Sequence, residues 1–244
     1  MQSFLIEIMI DRIEIKSFKS LFDVKVNLGK LNVFIGANGS GKSNFLEAIG
    51  VLSAAANGRV NDGALLDRGV RPGVPKLYNS SFRDEATPPH ISLLAGNDSS
   101  KYSVSLHNPL ESPLPDWMYK HELWTRILRS GKEKKPPLAS QSPKSKVQKK
   151  LGLAALKAVE IKETDSAYQM LKTLQEYRIF TPMTSVLRGV VNESQPGRPV
   201  GLAGGRLPEA AVRRQVYFFH PSFLAVGIGL CEHFSRTSRF VRSP

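Results

Sequence analysis

The chain has 244 residues, 41% of them apolar and 23% charged, with a formal net charge of +13 and a single cysteine, Cys231. This is the composition of a globular protein long enough to bury one large core or two small ones, and it excludes a collagen-like or low-complexity chain. One cysteine excludes an internal disulfide and a cysteine-held metal cluster, and it fits a reducing compartment. No run reaches the roughly 18 to 20 apolar residues of a membrane helix, so a cytoplasmic chain without membrane attachment is expected.

The apolar run Phe4 to Ile10 is broken by Glu7 and has neither a basic leader nor a small-residue cleavage site, so it reads as a strand rather than a signal sequence. "IDRIEIKSF" places Ile13 and Ile15 on one face, and "SLFDVKVNLGK" keeps Phe22, Val24 and Val26 in phase. "LNVFI" is a nearly continuous apolar run and reads as a buried third strand, so residues 10 to 35 suggest an antiparallel meander. Phe45, Ile49 and Leu52 then recur at helical spacing until Asn57 and Gly58, which predicts a helix of about 14 residues.

Residues 57 to 89, rich in Gly, Pro, Asn and Arg, read as irregular; "HISLLAG" and "YSVSLHN" read as a hairpin around "NDSSK". Residues 114 to 130, carrying Trp117, Leu123, Trp124 and Leu128, suggest a short helix. The stretch Arg126 to Lys150 concentrates positive charge with Pro and Ser and reads as a solvated linker or a nucleic-acid tract. Ala167, Met170, Leu171 and Leu174 mark one face of a further helix, followed by strand-like "YRIFTP". There is no internal repeat and no sustained heptad pattern.

Between the third predicted strand and the first helix lies "GANGSGKS", Gly36 to Ser43, which satisfies G-x-x-x-x-G-K-[ST] at every fixed position. Gly36, Gly39 and Gly41 allow a turn whose N–H groups face inward, where no Cβ blocks a phosphate. Lys42 is placed to reach the β- and γ-phosphates, the Ser43 hydroxyl to ligate Mg²⁺, and the helix N-terminus adds partial positive charge. With Ser40 these residues form the candidate site for ATP and Mg²⁺.

"IDRIEIKSFKSL" and "LGKLNVFIGANGSGKSNFLEAIGVL" resemble the N-terminal lobe of ABC-type ATPases of the SMC, RecF and OLD kind, often called AAA family ATPases. The likeness is strongest over residues 9 to 56 and weaker through "EYRIFTPMTSVLRGV" and "PVGLAGGRLPEA". It implies an α/β P-loop NTPase of ABC-ATPase type with an antiparallel β-subdomain and a helical region. It also implies a head-to-head homodimer around ATP, roles in DNA repair, chromosome maintenance or phage defence, DNA as a partner, and in defence systems an effector nuclease. Through it Asn38 corresponds to the Asn of the family's P-x-N-G loop, with Ala37 in place of Pro, and Lys19 of "SFKS" becomes a further nucleotide contact.

The domain reading that follows is an N-terminal lobe over 1–110, a variable helix and basic linker over 111–150, a helical continuation over 151–214, and an atypical tail over 215–244. The family's Walker B strand, four apolar residues followed by Asp-Glu, is not found, so no catalytic residue is named. "LIEIMID" ends at Asp11 ahead of the phosphate loop, "ALLDR" is short, and "FLAVGIGLCEH" ends in Glu232 and His233 without the Asp. "LAGGR", Leu202 to Arg206, only superficially resembles the L-S-G-G-Q signature and reads better as a loop entering the helix "LPEAAVRRQV". The tail suggests a truncated or frame-shifted copy of a longer ATPase, native to about residue 214.

Three functions follow: an ATPase of DNA metabolism or defence, a module that holds nucleotide without turning it over, and the ATPase subunit of a transporter. The N-K-x-D and D-x-x-G sequences of a GTPase are absent, and five scattered histidines with one cysteine suggest no nucleophile.

Overall fold

The computed structural model describes residues 9–80, 90–107, 117–144, 149–193, 201–205, 207 and 224–226. Its largest element is a six-stranded antiparallel sheet in the order β2-β1-β3-β4-β5-β6. The strands are β1 (Arg12–Phe18), β2 (Leu21–Asn27), β3 (His90–Gly96), β4 (Ser100–His107), β5 (Met118–Arg126) and β6 (Ala139–Gln141). The inner face follows from simple alternation: Ile13 and Ile15 of β1, Ile91, Leu93 and Ala95 of β3, and Tyr102, Val104 and Leu106 of β4 are all buried.

Against that face lies α1 (Lys42–Ala56). Ten of its last eleven residues carry no charge, and nearly the whole circumference is buried, as expected of a helix enclosed on several sides. The sheet covers one side; α4 (Ser166–Gln175) and β7 (Arg178–Phe180) cover others. Gly50 is required where β7 approaches, because a Cβ there would overlap Val70 Cγ2 and touch Tyr177 and Ile179. The last carbonyls of α1 take donors from its surroundings: Tyr119 Oη donates to Ala55 O at 2.9 Å, Gln175 Nε2 to Ala56 O at 2.8 Å and Asn57 Nδ2 to Ser53 O at 3.0 Å.

Several predicted elements are present. The first hairpin is β1–β2, the second is β3–β4, and the helix carrying Ala167, Met170, Leu171 and Leu174 is α4, with those four residues buried. Asp165 caps α4 by accepting from Ala167 N at 2.8 Å, and Arg126 of β5 donates to the same carboxylate at 2.7 Å. β7 pairs in parallel with β8 (Leu224–Val226). The segment 57–89 contains the short α2 (Asp62–Leu66) and a 3-10 turn over Pro75–Tyr78 among its described residues. Of the other helices, α3 (Ala154–Ala158) and α5 (Thr184–Leu187) are single turns.

Three expectations are corrected. "LNVFI" forms no strand, and Leu31, Val33 and Ile35 are 85%, 72% and 91% exposed. The meander does not continue through it: β2 is the edge of the sheet, and its outer edge pairs with no strand among the described residues. Over its described residues the helix expected at 114–130 is instead β5, whose Tyr119, Glu122 and Trp124 are buried, with the register against β4 shifting between Ser105 and Leu106. The basic stretch is no unstructured linker over its described residues, for it contains β6 and a hairpin-like excursion between β5 and β6. The helix "LPEAAVRRQV" beyond Leu207, most of the N-terminal strand, Cys231, Glu232 and His233 lie outside the described residues.

A buried carboxylate fastens α3 to the sheet. Glu122 accepts from Tyr102 Oη at 3.0 Å and from the amides of Leu153 and Ala154. Burial raises its pKa, and those three donors pull it down without cancelling the effect.

Candidate functional site

The predicted phosphate loop sits between the exposed segment 31–35 and α1, and Gly36 to Ser40 are all exposed. Gly39 and Gly41 take φ of 83° and 94°, the left-handed region that explains why glycine stands there. A Cβ at Gly36 would stand 3.0 Å from Ser40 Oγ, and one at Gly41 3.1 Å from Ser20 Oγ. Both glycines therefore also relieve crowding.

Lys42 opens α1, and its ammonium curls back over the loop, donating to Gly36 O at 2.7 Å, Ala37 O at 2.9 Å and Ser40 Oγ at 3.3 Å. Gly41 is the N-cap and supplies no side chain to the helix amides, and the first turn has no acid. A helix N-terminus attracts negative charge and is disfavoured by a cation. Here it carries a lysine and no anion, beside glycines that leave the backbone open. That arrangement fits a phosphate group. Ser43 is exposed at the start of the helix, open to a hydrated cation that a phosphate would bring with it. Asn38 is exposed at the turn of the loop.

Lys19 is placed differently. Its ammonium is ion-paired with Glu47, one turn beyond Ser43 on α1, and lies 4.4 Å from the centroid of the Tyr78 ring. Glu47 is also held by Arg71, whose Nε stands 3.0 Å away. The "SFKS" segment reaches the loop through the neighbouring residue instead: Asn44 Nδ2 donates to Ser20 Oγ at 2.8 Å, and Ser20 packs against Gly41. Ser17 and Lys19 have positive φ, 59° and 48°. This sparsely populated conformation is held by Lys19 N donating to Tyr78 O at 2.7 Å and by Ser80 N donating to Ser17 O at 3.2 Å.

Sequence reasoning thus missed Ser20, Asn44 and Glu47. Asn44 and Glu47 are three residues apart and share a helix face, which is a signal once α1 is predicted. The partner of that face is set by tertiary structure alone.

Two carboxylates weighed as Walker B candidates fall elsewhere. Asp11 precedes β1, where its backbone carbonyl accepts from Leu28 N; burial, with Asp98 nearby, raises its carboxyl pKa. Asp67 ends α2. Among the described residues no carboxylate hydrogen-bonds to the loop 36–43, and no group of three His, Cys, Asp or Glu side chains is arranged to hold a metal. Among them too, no helix is long and apolar enough to cross a membrane.

Residues 9–105 match a family model described as AAA ATPase domain. The chain is 47% identical over 71 residues to the DNA replication and repair protein RecF of Halothermothrix orenii, covering 28% of this chain and 19% of that protein. It is 36% identical over 76 residues to the DNA replication and repair protein RecF of Magnetococcus marinus, covering 31% and 20% respectively. Each similarity thus spans about a fifth of the relative.

Proposed function

We infer that the chain binds ATP with Mg²⁺ through Gly36–Ser43, a reading supported by the match of residues 9–105 to an AAA ATPase domain model and by the likeness to two RecF proteins. One observation carries the reading: Lys42 and the uncapped N-terminus of α1 converge on an exposed glycine-lined loop to which no carboxylate among the described residues is bonded. Bound there, the triphosphate supplies the phosphoanhydride bond that such a domain spends on conformational work. The amides of Gly39 to Ser43 and the Lys42 ammonium would hold its phosphates, and the Ser43 hydroxyl would be available to the cation. Ser20 and Asn44 brace the loop from behind.

The relatives' role in DNA replication and repair supports a role on DNA for this chain. The exposure of the loop supports a head-to-head pair of chains closing over the nucleotide. A second reading, a module that grips ATP without hydrolysing it, is favoured by the lack of a carboxylate bonded to the loop among the described residues.

Titration of ATP and Mg²⁺ beside phosphate release, with wild type and Lys42→Ala, separates the two. Turnover lost in Lys42→Ala supports the ATPase. Lysine-dependent binding without turnover supports the holding module, and no binding by wild type refutes both.

A further inference from the structure

We propose that the hairpin between β5 and β6 is a docking surface for the phosphate backbone of duplex DNA. The proposal rests on the reading that the chain works on DNA and assigns the surface that makes the contact. Leu128 N donates to Lys132 O, Gly131 N to Leu128 O and Lys134 N to Arg126 O, each at 2.8 Å, while Ile127 and Glu133 form an antiparallel bridge. Gly131 takes φ of 76° at the tip. The segment is therefore an ordered two-stranded ribbon that extends β5 past the sheet. A ribbon of this kind fits the major groove of B-form DNA, whose walls are phosphates.

Its charge is one-sided. Arg129, Lys132, Lys134 and Lys135 are exposed, and none forms an ion pair among the described residues. The one acid in the ribbon, Glu133, is taken up by Lys101 of β4, and Arg126 at the base is taken up by Asp165. The two internal pairs fix the ribbon to the sheet and α4, and they leave four cations facing solvent on a rigid support. Lys132 and Lys134, two apart on one strand, share a face that Glu133 does not. A preorganised cluster of this kind loses little freedom on meeting a polyanion and releases counterions from it.

Lys144 and Lys149 provide an internal control. β6 runs antiparallel to β5, with Glu122 opposite Gln141 and Trp124 opposite Ala139, so residues beyond Gln141 run back toward the opposite end of β5 from the ribbon.

The test is binding of the full chain to a fluorescent duplex of about 20 base pairs, measured across a salt series. Four phosphate contacts imply a log–log salt slope near −3.6, or about a 100-fold loss of affinity between roughly 50 and 200 mM salt. Changing Arg129, Lys132, Lys134 and Lys135 to Gln should remove most of that slope, and changing them to Glu should abolish binding. Changing Lys144 and Lys149 to Gln should leave the slope nearly intact, with thermal unfolding showing each variant folded. If wild type binds DNA but the four-Gln variant binds equally well with the same slope, this surface is refuted while the wider reading stands. If wild type fails to bind even at low salt, both fall. Binding through these four residues to phosphatidylserine vesicles, with none to DNA, also overturns the proposal.

Discussion

Replacing Glu47 by Gln tests the ionic latch that joins the β1–β2 turn to the helix behind the phosphate loop. The Glu47 side chain is 7% exposed and its partner Lys19 19%, whereas the second partner, Arg71, is 77% exposed. The Lys19 pair lies near the buried limit, where removing one partner costs about 3 to 5 kcal/mol, and the Arg71 pair near the surface limit of about 0 to 1 kcal/mol. Glu47→Gln keeps the shape and leaves Lys19 over Tyr78 without its counter-charge, for an expected loss of about 2 to 3 kcal/mol of unfolding free energy. Lys19→Gln should cost a similar amount, and the double variant little more than either single, giving a coupling of about 2 kcal/mol. Arg71→Gln should cost under about 1 kcal/mol. Urea denaturation followed by tryptophan fluorescence reads all four, since Trp117 and Trp124 are buried in the core. A Glu47→Gln variant within about 0.5 kcal/mol of wild type, or fully additive single variants, would refute the latch.

Other sites give independent expectations. Val33→Ser and Ile35→Ser, at positions 72% and 91% exposed, should each cost less than about 0.5 kcal/mol rather than the 2 to 5 kcal/mol of a core truncation, as denaturation would show. Gly50→Ala forces a methyl into Val70 and should destabilise by about 1 to 2 kcal/mol despite alanine's better helix propensity, measured as a shift in the urea midpoint. Glu122 has a folded pKa raised above its ordinary value of 4.5, so the folded state holds that proton more tightly. Its contribution to stability is full below the unfolded pKa and is lost as pH rises through the folded pKa. The pH dependence of unfolding across that window should flatten in Glu122→Gln.

Local pattern was legible wherever one face of an element meets the core. The phosphate loop, α1, both hairpins and α4 declared themselves through glycine spacing, period-2 alternation and helical recurrence. The failures have separate causes. "LNVFI" is apolar enough for a buried strand, but burial needs neighbours, and among the described residues it pairs with no strand, the edge strand β2 included. In β5 the aromatic side chains that point inward are spaced by a bulge, which breaks strict alternation and makes a strand look helical. The basic ribbon looked like a linker because charge, Pro and Ser dominate the stretch 126–150 that contains it; its order comes from backbone bonds to β5 and from the ion pairs of Glu133 with Lys101 and of Arg126 with Asp165. The candidate site divided in the same way. Gly36, Gly39, Gly41, Lys42 and Ser43 could be named from the motif, whereas Ser20, Asn44 and Glu47 depended on a turn that is distant in sequence.

Calorimetric titration of ATP in the presence of Mg²⁺ into wild type and Lys42→Ala tests the central claim most directly. On this account the Lys42 ammonium would make charge-assisted contacts worth about 2 to 4 kcal/mol to a bound triphosphate, so the variant should bind about 30- to 1000-fold more weakly with its fold unchanged. Equal affinity of the two proteins for ATP, or no measurable binding by wild type, would contradict the account.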